Sequence, residues 1–401
     1  MLSLPVTRIG VRSAKLCPKP TAKHLESMRV LFYLQSLSSG GAERVTATLA
    51  NYWASKGWRV TLVTATGREL DFYTLDPSVK RIPLQTAGNS GGSMQALVNN
   101  GRRIVALIDV LRREQPEVAV GMMATANATL AIAGRMAGVR TVGSERIHPP
   151  TLPLGRAWEW IRRRTYPWLD GVVTQTAASA AWLRAHAPAK RTEVIANPVE
   201  YPLRRHEPSL TPEDVLGGWV GTKHLLAVGR LDTQKGFDRL LAAFAAVSKN
   251  HPDWVLLILG EGSQRTALRQ QAAELGIEGR FALPGSVGNV GDWYDVADLY
   301  ALTSRFEGFP NTLIEALAYG VPSIAVDCET GPRDILRHQV DGLLVPQNDA
   351  DSLAAALDYL MGDANSRARF SQRAVETRER FAVDRIAGQW EALLQEVTHK
   401  K

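Results

Sequence analysis

The sequence predicts an α/β fold in which two doubly wound domains face each other across a cleft. From residue 29 onward, short apolar segments alternate with segments of helical period, a pattern typical of βαβ units and parallel sheets. A polar, proline-rich stretch at 198–212 divides this alternation into two series. The length of 401 residues suits two domains, each large enough for its own core.

The elements follow in order from the apolar runs and their spacing. The first series is predicted to contain a helix over about 42–56 and strands at 29–35, 58–64, 117–122, 140–144 and 171–176. The second series is predicted to contain strands at 223–229, 254–260, 280–285, 298–304 and 321–327. Strands separated by helical segments favour parallel sheets with right-handed crossovers.

The domain boundaries follow from composition. Residues 1–27 carry five basic side chains against one acid, three prolines and no apolar block, so we predict a basic, disordered tail and not a secretory signal. Residues 28–200 and 201–379 then form the two domains. A C-terminal helix over about 380–401 is expected to pack back on the first domain.

The composition is that of an ordinary globular protein, with 45% apolar and 22% charged residues, which argues against a disordered or fibrous chain. The two cysteines, Cys17 and Cys328, cannot form a disulfide framework, so a reducing compartment such as the cytoplasm is expected. No apolar run reaches the roughly 18–20 residues that a membrane-spanning helix needs.

The charge is divided unevenly between the two halves. Residues 1–200 carry 26 Lys+Arg and 13 Asp+Glu, whereas residues 201–401 carry 21 and 27. A basic first half suggests that one domain faces an anionic partner. Nucleic acid and acidic membrane lipid both qualify on charge alone.

The loop VGRLDTQKGFDRLL (228–241) carries two cations at the carboxyl end of a predicted strand, where open α/β sheets bind ligands. Arg230 follows the strand, and Lys235 stands at the start of the next helix. Two cations converging on a helix N-terminus are suited to a diphosphate, because the backbone amides and the helix dipole add to their charge. The plainer alternative is a pair of solvated side chains on a loop.

The segment SRFEGFPNTLIEALAYG (304–320) places Glu307 in a loop and Glu315 eight residues later on a helix. Two carboxylates at this spacing can hold two different hydroxyl-bearing parts of one ligand. Gly308 permits close approach of a ligand, and the backbone amides near Asn311–Leu313 would face a phosphate. Alternatively, Glu307 caps the helix and Glu315 is an ordinary helix residue.

Two glycine turns complete the candidate site. The turn LGEGSQ (259–264) is as consistent with a tight structural turn as with a ligand contact, whereas Gly40 and Gly41 in SLSSGGAE (36–43) would give an anion-accepting turn in the first domain. Neither GxGxxG nor GxxxxGK[ST] is present there, which argues against a dinucleotide oxidoreductase and a P-loop NTPase.

Together these pieces resemble the retaining, nucleotide-sugar-dependent glycosyltransferases of family four, which have the GT-B fold of two Rossmann-like domains. The resemblance covers nearly the whole chain from Met28. The segments that carry it are GGAE (40–43), NPV (197–199), VGRL…KGFDRLL (228–241), LGEG (259–262), EGFPNTLIE (307–315), GPRDIL (331–336) and DGLLVP (341–346).

The resemblance implies a role for each matching residue. Arg230 and Lys235 would neutralise the leaving nucleotide diphosphate, Glu307 would bind the transferred sugar and Glu315 the ribose. The first domain would be the acceptor side and the second the nucleotide-sugar side, with Gly41 closing over the diphosphate. The residues that would bind substrate through the loop and the helix start are Gly40, Gly41, Gly308, Phe309, Pro310, Asn311, Thr312 and Leu313.

The resemblance also implies a mechanism that retains the anomeric configuration by attack on the face from which the nucleotide departs. Catalysis would then rest on positioning and on stabilisation of the leaving group. Neither a metal nor another cofactor is expected, because the two cations and the helix dipole would replace it. The sequence shows no convincing Asp-x-Asp motif or His cluster that would suggest otherwise.

One segment departs from the family pattern. Many relatives place a His near the sugar at the end of a first-domain strand, whereas the segment VGSERIH (142–148) has Arg146 at that position. Glu145 and Arg146 are therefore candidates on the acceptor or sugar side, without an assigned role. His148 is expected to be a loop histidine.

The segment RAWEWIRRRTYPW (156–168) interleaves tryptophan with arginine, which suits the surface of an anionic bilayer. A core-packed helix with a solvated charged face is the alternative. A membrane-facing acceptor domain would fit a peripheral enzyme on the inner face of the plasma membrane, whose acceptor is a lipid-linked or polysaccharide intermediate.

The favoured hypothesis is thus transfer of a hexose or N-acetylhexosamine from a nucleotide sugar, preferably a UDP-sugar, to a glycolipid or glycan. A nucleotide-sugar epimerase or a soluble sugar synthase would keep the fold and change the reaction. A nucleic-acid-binding protein is the third hypothesis, but no nucleic-acid module is recognisable, so no nucleic-acid partner is expected.

Overall fold

A computed structural model describes residues 27–86, 93–219 and 221–399, and it contains two parallel sheets. The strands of the first sheet are β1 (Arg29–Leu34), β2 (Arg59–Thr64), β3 (Lys80–Pro83), β4 (Val118–Met122), β5 (Arg140–Ser144), β6 (Gly171–Thr174) and β7 (Thr192–Val194). Those of the second are β8 (Lys223–Val228), β9 (Trp254–Leu259), β10 (Phe281–Gly285), β11 (Leu299–Leu302), β12 (Ser323–Asp327) and β13 (Gly342–Pro346).

The strand order is that of two doubly wound domains, which confirms the predicted fold class. The first sheet has the order β3-β2-β1-β4-β5-β6-β7 and the second β10-β9-β8-β11-β12-β13. In both sheets the first strand lies in the interior, the next strands are added on one side of it, and the later strands are added on the other side. The strand order therefore switches beside β1 in the first sheet and beside β8 in the second. Ligands of such sheets bind at this switch point, outside the carboxyl ends of the strands.

Helices cover both faces of each sheet. In the first half they are α1 (Gly41–Ser55), α2 (Ser93–Glu114), α3 (Ala124–Ala137), α4 (Arg156–Thr165) and α5 (Ala177–His186). In the second they are α6 (Pro212–Leu216), α7 (Phe237–Val247), α8 (Arg265–Glu274), α9 (Val290–Asp295), α10 (Asn311–Ala318), α11 (Pro332–Ile335), α12 (Ala350–Gly362), α13 (Ala364–Ala374), α14 (Thr377–Arg380) and α15 (Val383–His399).

Three strands of the structure, β3, β7 and β13, are absent from the sequence-based prediction. All three are edge strands, and each contains residues that are only partly buried. A central strand such as β9 is buried along its whole length and therefore shows a continuous apolar run. The segments KRIP of β3 and TEV of β7 lack this run, which is why the apolar pattern misses them.

The chain crosses between the domains twice. Val199 pairs with the segment that precedes α15, its amide donating to the Phe381 carbonyl at 2.9 Å. Helix α15 then packs on the first domain, where Trp390 is fully buried in the same apolar core as Phe32 and Trp53. The two crossings tie the domains together near the start of α10, since Phe381 packs on Phe309.

The predicted N-terminal tail falls outside the described residues up to residue 26. Among the residues that the structure describes, no helix has the length and apolarity needed to cross a membrane.

Candidate active site in the interdomain cleft

Loops from both domains meet at the start of α10. The Asn311 side-chain amide donates to the carbonyl of Gly41 at 3.2 Å, and the Asn197 amide donates to the Asn311 side-chain oxygen at 2.6 Å. Gly308 lies against the end of the loop after β5, since a Cβ added to it would lie 2.2 Å from the carbonyl oxygen of Arg146. Only glycine fits there, and the cleft closes at this point.

Glu307 lies just before α10 and is held within its own domain. Its Oε1 accepts hydrogen bonds from Lys235 Nζ at 2.7 Å and from Ser304 Oγ at 2.6 Å. Thr330 Oγ1 donates to the carbonyl of the same residue at 2.6 Å. The Glu307 side chain is buried, so the ammonium group of Lys235 supplies the countercharge that a buried carboxylate requires.

Glu315 lies just over one turn into α10, and it is held from across the cleft. Its Oε1 accepts a hydrogen bond from Arg44 on α1, and its Oε2 accepts one from the Tyr294 hydroxyl at 3.2 Å. Burial opposes the charge on Arg44, but Glu315 and Tyr73 outweigh it and raise the arginine pKa. Burial together with the Glu315 charge raises the Tyr294 pKa, so that phenol stays a donor.

The two predicted phosphate-binding cations differ in exposure. Lys235 is largely buried in its pair with Glu307, whereas the Arg230 side chain is 68% exposed and contacts Gln234 and Asp232 at 3.0 and 3.3 Å. Gly260 packs against the loop of Arg230. Its φ is +141°, and a Cβ added to it would lie 1.9 Å from the Gly229 carbonyl oxygen. The LGEG turn therefore packs closely against the backbone beside Arg230.

At the start of α10 the side chains are engaged with other parts of the protein, so this segment presents its backbone amides to a ligand. Pro310 is the N-cap residue and α10 begins at Asn311. Phe309 packs edge-on against Phe381 with ring centres 5.8 Å apart, and Leu313 is fully buried. Thr312 Oγ1 accepts a hydrogen bond from the Tyr300 hydroxyl at 2.8 Å.

In the first domain, Gly40 and Gly41 precede and begin α1, and their carbonyls are held by other side chains. Gly40 accepts from the Tyr73 hydroxyl at 3.1 Å, as Gly41 does from Asn311. The glycine turn thus lies directly above the start of α10, where the sequence predicts the diphosphate.

Glu145 and Arg146 point to opposite sides of the segment after β5. Glu145 lies inside the first domain, 2.5 Å from the Tyr166 hydroxyl and 3.3 Å from Arg162 Nε, and burial raises its pKa. The structure does not bring it to the other site residues. Arg146 lies between the domains, where its Nη2 donates to Asn197 Oδ1 at 2.5 Å, and burial lowers its pKa to about 10.

His148 is buried and spans the domain boundary. Its Nδ1 lies 3.0 Å from Ser179 Oγ, and its Nε2 lies 3.3 Å from Oε1 of Glu329 in the second domain. Beside this contact is a cavity of about 240 Å³. Residues of both domains line it: Thr151, Arg305, Phe306, Glu307, Glu329, Thr330 and Gln347.

Several residues of the site were not assigned from the sequence. Arg44 directly follows the GGAE motif and Asn197 opens the NPV turn, so both lie in segments that carry the resemblance. Ser304 opens the segment at 304–320, whereas Tyr294 has no sequence signal, because a lone Tyr has no recognisable spacing. Within the described ranges, no three His, Cys, Asp or Glu side chains come together as metal ligands.

Comparison with known proteins places this geometry in a family. The model described as "Glycosyltransferase Family 4" matches residues 39–201, and that described as "Glycosyl transferases group 1" matches residues 218–377. Together the two matches cover both domains and nearly all of the site residues.

Individual proteins give the same picture. The chain is 28% identical to a Campylobacter jejuni α-1,4-N-acetyl-D-galactosaminyltransferase that acts on an undecaprenol-PP-linked glycan, over 92% of this chain and 99% of that one. It is 34% identical to an exopolysaccharide phosphotransferase of Streptomyces coelicolor over 70% of this chain but only 29% of that protein.

Among solved structures, Anabaena HepE in complex with UDP and glucose superimposes with a TM-score of 0.76, at 20% identity, over 92% of this chain and 100% of that one. At this identity the likeness shows the fold alone. The fold, the two family matches and the full-length relatives agree. The chain belongs to the GT-B glycosyltransferases, with a first domain of the family-four type and a second domain of group 1.

Proposed function

We propose that this glycosyltransferase moves a hexose or N-acetylhexosamine from a UDP-sugar to a lipid-linked or polysaccharide-intermediate acceptor, with retention of configuration and without a metal. One observation carries the proposal. The Lys235–Glu307 pair, the buried Glu315 and the Gly40–Gly41 turn all surround the start of α10. This arrangement offers cations and amides to a diphosphate and carboxylates to the hydroxyls on either side of it.

The roles follow from these positions. Lys235 and the exposed Arg230 would stabilise negative charge on the departing diphosphate, aided by the positive end of the α10 dipole. Lys235 and Ser304 both donate to Oε1 of Glu307, so its other oxygen, Oε2, would accept hydrogen bonds from the transferred sugar. Glu315 would accept the ribose hydroxyls. Catalysis by charge and position needs no strong base, which agrees with retention.

Two relatives support the donor and the acceptor class. HepE was solved with UDP and glucose, and the Campylobacter enzyme is named for transfer of N-acetylgalactosamine to a glycan on undecaprenol-PP. By analogy we propose a UDP-sugar donor and a polyprenol-linked or polysaccharide acceptor for this chain.

Thermal unfolding with UDP, GDP, ADP and NAD in parallel tests the donor. A ligand at about 100 times its dissociation constant adds roughly 2.7 kcal/mol to the free energy of unfolding, so the midpoint should rise by several degrees. We expect the shift with UDP, and its reduction in Arg230→Ala. A shift with GDP or ADP alone would correct the donor. A shift with NAD alone would contradict the proposal.

We further propose that the first domain rests on an anionic membrane, on the cytoplasmic face. Trp160 and Trp168 are 60% and 37% exposed, with the guanidinium groups of Arg164 and Arg135 over their rings at 5.3 and 5.0 Å. Exposed indoles beside cations suit the headgroup layer. Arg162 of the same segment is buried against Glu145 and takes no part in this surface.

Flotation with vesicles tests the surface. We expect binding to vesicles of phosphatidylglycerol and phosphatidylcholine, loss of that binding in the variant with Trp160→Ser and Trp168→Ser, and no binding to phosphatidylcholine alone. The matched control is Tyr359→Ser, which removes an exposed aromatic residue from the second domain. Equal flotation of all variants would contradict the proposed surface.

A further inference from the structure

Arg146 is a buried cation without a carboxylate partner. The residue is only 8% exposed. Its guanidinium group donates hydrogen bonds to two neutral oxygens, Asn197 Oδ1 at 2.5 Å and Ser144 Oγ at 3.5 Å. Among the described residues, no carboxylate oxygen lies within 4.0 Å of it. Burying a charge is costly unless it is paired, so a cation in this state is suited to an anion from outside the chain.

The guanidinium group of Arg146 lies where the domains meet. Its partner Asn197 donates both to the Asn311 side chain and to the Phe309 carbonyl, at 2.6 and 3.2 Å, and the backbone of Arg146 itself lies against Gly308. Arg146 is therefore anchored to the first turn of α10 by one intervening side chain. The amides of Asn311 and Thr312, which precede the first bonds of the helix to the Pro310 carbonyl, and the dipole of that turn favour an anion at the same place.

The internal carboxylate whose charge acts on Arg146 is Glu43, in the first turn of α1. Its side chain folds back over the glycine turn, since a Cβ added to Gly40 would overlap its carboxylate. Burial raises its pKa, while the charges of Arg146 and Arg230 both act to lower it. Its carboxylate forms no ion pair with Arg146 or Arg230. The two cations flank one loop, because Arg230 Nη2 donates to Gln234 Oε1 at 3.0 Å and Gln234 Nε2 donates to the Phe306 carbonyl at 3.0 Å, two residues before Gly308.

We propose that Arg146 and Arg230 bind one phosphate group from opposite sides of the cleft, and that Glu43 supplies the negative charge there when the site is empty. The inference rests on the proposed function and adds two residues to it. Arg146 becomes a third phosphate-binding cation, supplied by the first domain. Glu43 becomes the internal anion with which the incoming phosphate competes.

The phosphate could belong to the nucleotide or to a diphosphate-linked acceptor. The two residues must then affect binding in opposite directions. Arg146→Met removes an attractive charge, and one charge-assisted hydrogen bond corresponds to roughly ten-fold or more in affinity. Glu43→Gln removes a competing charge at nearly constant shape, so affinity should rise by about three-fold.

Isothermal titration of the full-length protein with UDP, uridine and geranyl diphosphate tests the inference. The expected result for a nucleotide phosphate is weaker UDP binding in Arg146→Met, tighter binding in Glu43→Gln and no change for uridine. If instead only the binding of geranyl diphosphate weakens in Arg146→Met and tightens in Glu43→Gln, the phosphate belongs to the acceptor. Arg385→Met and Glu274→Gln, both exposed and remote from the cleft, are the matched controls.

Unchanged affinities for UDP and for geranyl diphosphate in Arg146→Met would overturn the role of Arg146. Weaker binding in Glu43→Gln would overturn that of Glu43. If Arg146→Met does not fold, Arg146→Gln replaces it, because its amide can still donate to Asn197 while the charge is gone, and the same signs are read. Failure of the proposed function differs from both outcomes, since the wild-type protein would then bind no nucleoside diphosphate at all.

Discussion

Glu307 and Glu315 lie eight residues apart and are both buried, but different parts of the molecule hold them. Glu307 is fixed by Lys235 and Ser304 of its own domain. Glu315 is held by Tyr294 from its own domain and by Arg44 from the other. The sugar end of the proposed donor site is thus assembled by the second domain alone, whereas the ribose end is completed only when the domains meet.

This difference separates two tasks. A charge pair inside one domain is preorganised, so its contribution to the transition state costs no rearrangement. A pair across the cleft depends on the relative position of the domains and couples donor binding to that position. Substitutions at the sugar end should therefore affect turnover, and those at the ribose end should affect nucleotide affinity and the stability of the interdomain contact.

Lys235→Ala should have the largest effect, because it removes a cation from the leaving group and leaves the Glu307 carboxylate buried without its partner. We expect kcat to fall by about 10²–10³-fold, the range found when one preorganised charge-stabilising group is removed. Steady-state transfer with the UDP-sugar that gives the highest rate measures this. Lys249→Ala, on the exposed end of the segment after α7, should leave kcat unchanged.

A fall in UDP affinity of the same size, with kcat preserved, would contradict the assignment of the sugar end to turnover.

Glu315→Gln should have the next largest effect, and it should weaken nucleotide binding instead of turnover. It keeps the shape of the side chain but loses a charged acceptor for the ribose hydroxyls, so the dissociation constant of UDP should rise by about ten-fold. The value of kcat at saturating donor should change little. Calorimetric titration and steady-state kinetics of the same preparation give both numbers, and equal loss in kcat would remove the distinction between the two carboxylates.

Arg44→Met should lower stability, because it leaves Glu315 buried without the cation from the other domain. Removing one partner of a fully buried pair costs about 3–5 kcal/mol. The Arg44 side chain is 31% exposed, so we expect less, about 1–2 kcal/mol and a few degrees in the unfolding midpoint. Adding Glu315→Gln should recover part of the loss, since the buried charge is gone.

Differential scanning calorimetry of the two single variants and the double variant measures this coupling. Ser304→Ala serves as the control at the sugar end, where no interdomain contact is lost. Additive effects of Arg44→Met and Glu315→Gln would show that the contact across the cleft contributes nothing.

The residues that could be predicted share one property: each lies at a fixed spacing within one loop and helix. Arg230 with Lys235, and Glu307 with Glu315, are placed by the rule that parallel strands present their loops at one edge. Arg44 and Asn197 reach their partners only because the domains are docked, and docking has no local sequence pattern. The neighbours Glu145 and Arg146 face opposite sides because successive side chains alternate in extended backbone, and the sequence alone did not indicate which one faces the cleft.

The smallest effect concerns Cys328, whose thiol reports on the charge of Glu307. Burial, and then the Glu307 carboxylate, raise its pKa to about 12, so at pH 8 the thiol is almost entirely protonated and reacts slowly. Removing the Glu307 charge lowers that pKa and increases the thiolate fraction. In a Cys17→Ser background, we expect alkylation by iodoacetamide to be about three-fold faster in Glu307→Gln than in the parent.

Glu315→Gln sharpens the comparison, because burial and the Glu307 carboxylate, and not Glu315, are the main causes that raise the Cys328 pKa. Its alkylation rate should equal that of the parent at every pH from 7 to 9, while the rate in Glu307→Gln should stay above it throughout. The higher thiolate fraction persists over this window because the whole range lies below the pKa of the thiol. Equal acceleration in both variants would mean that loosening of the cleft, and not the charge at its sugar end, controls the thiol.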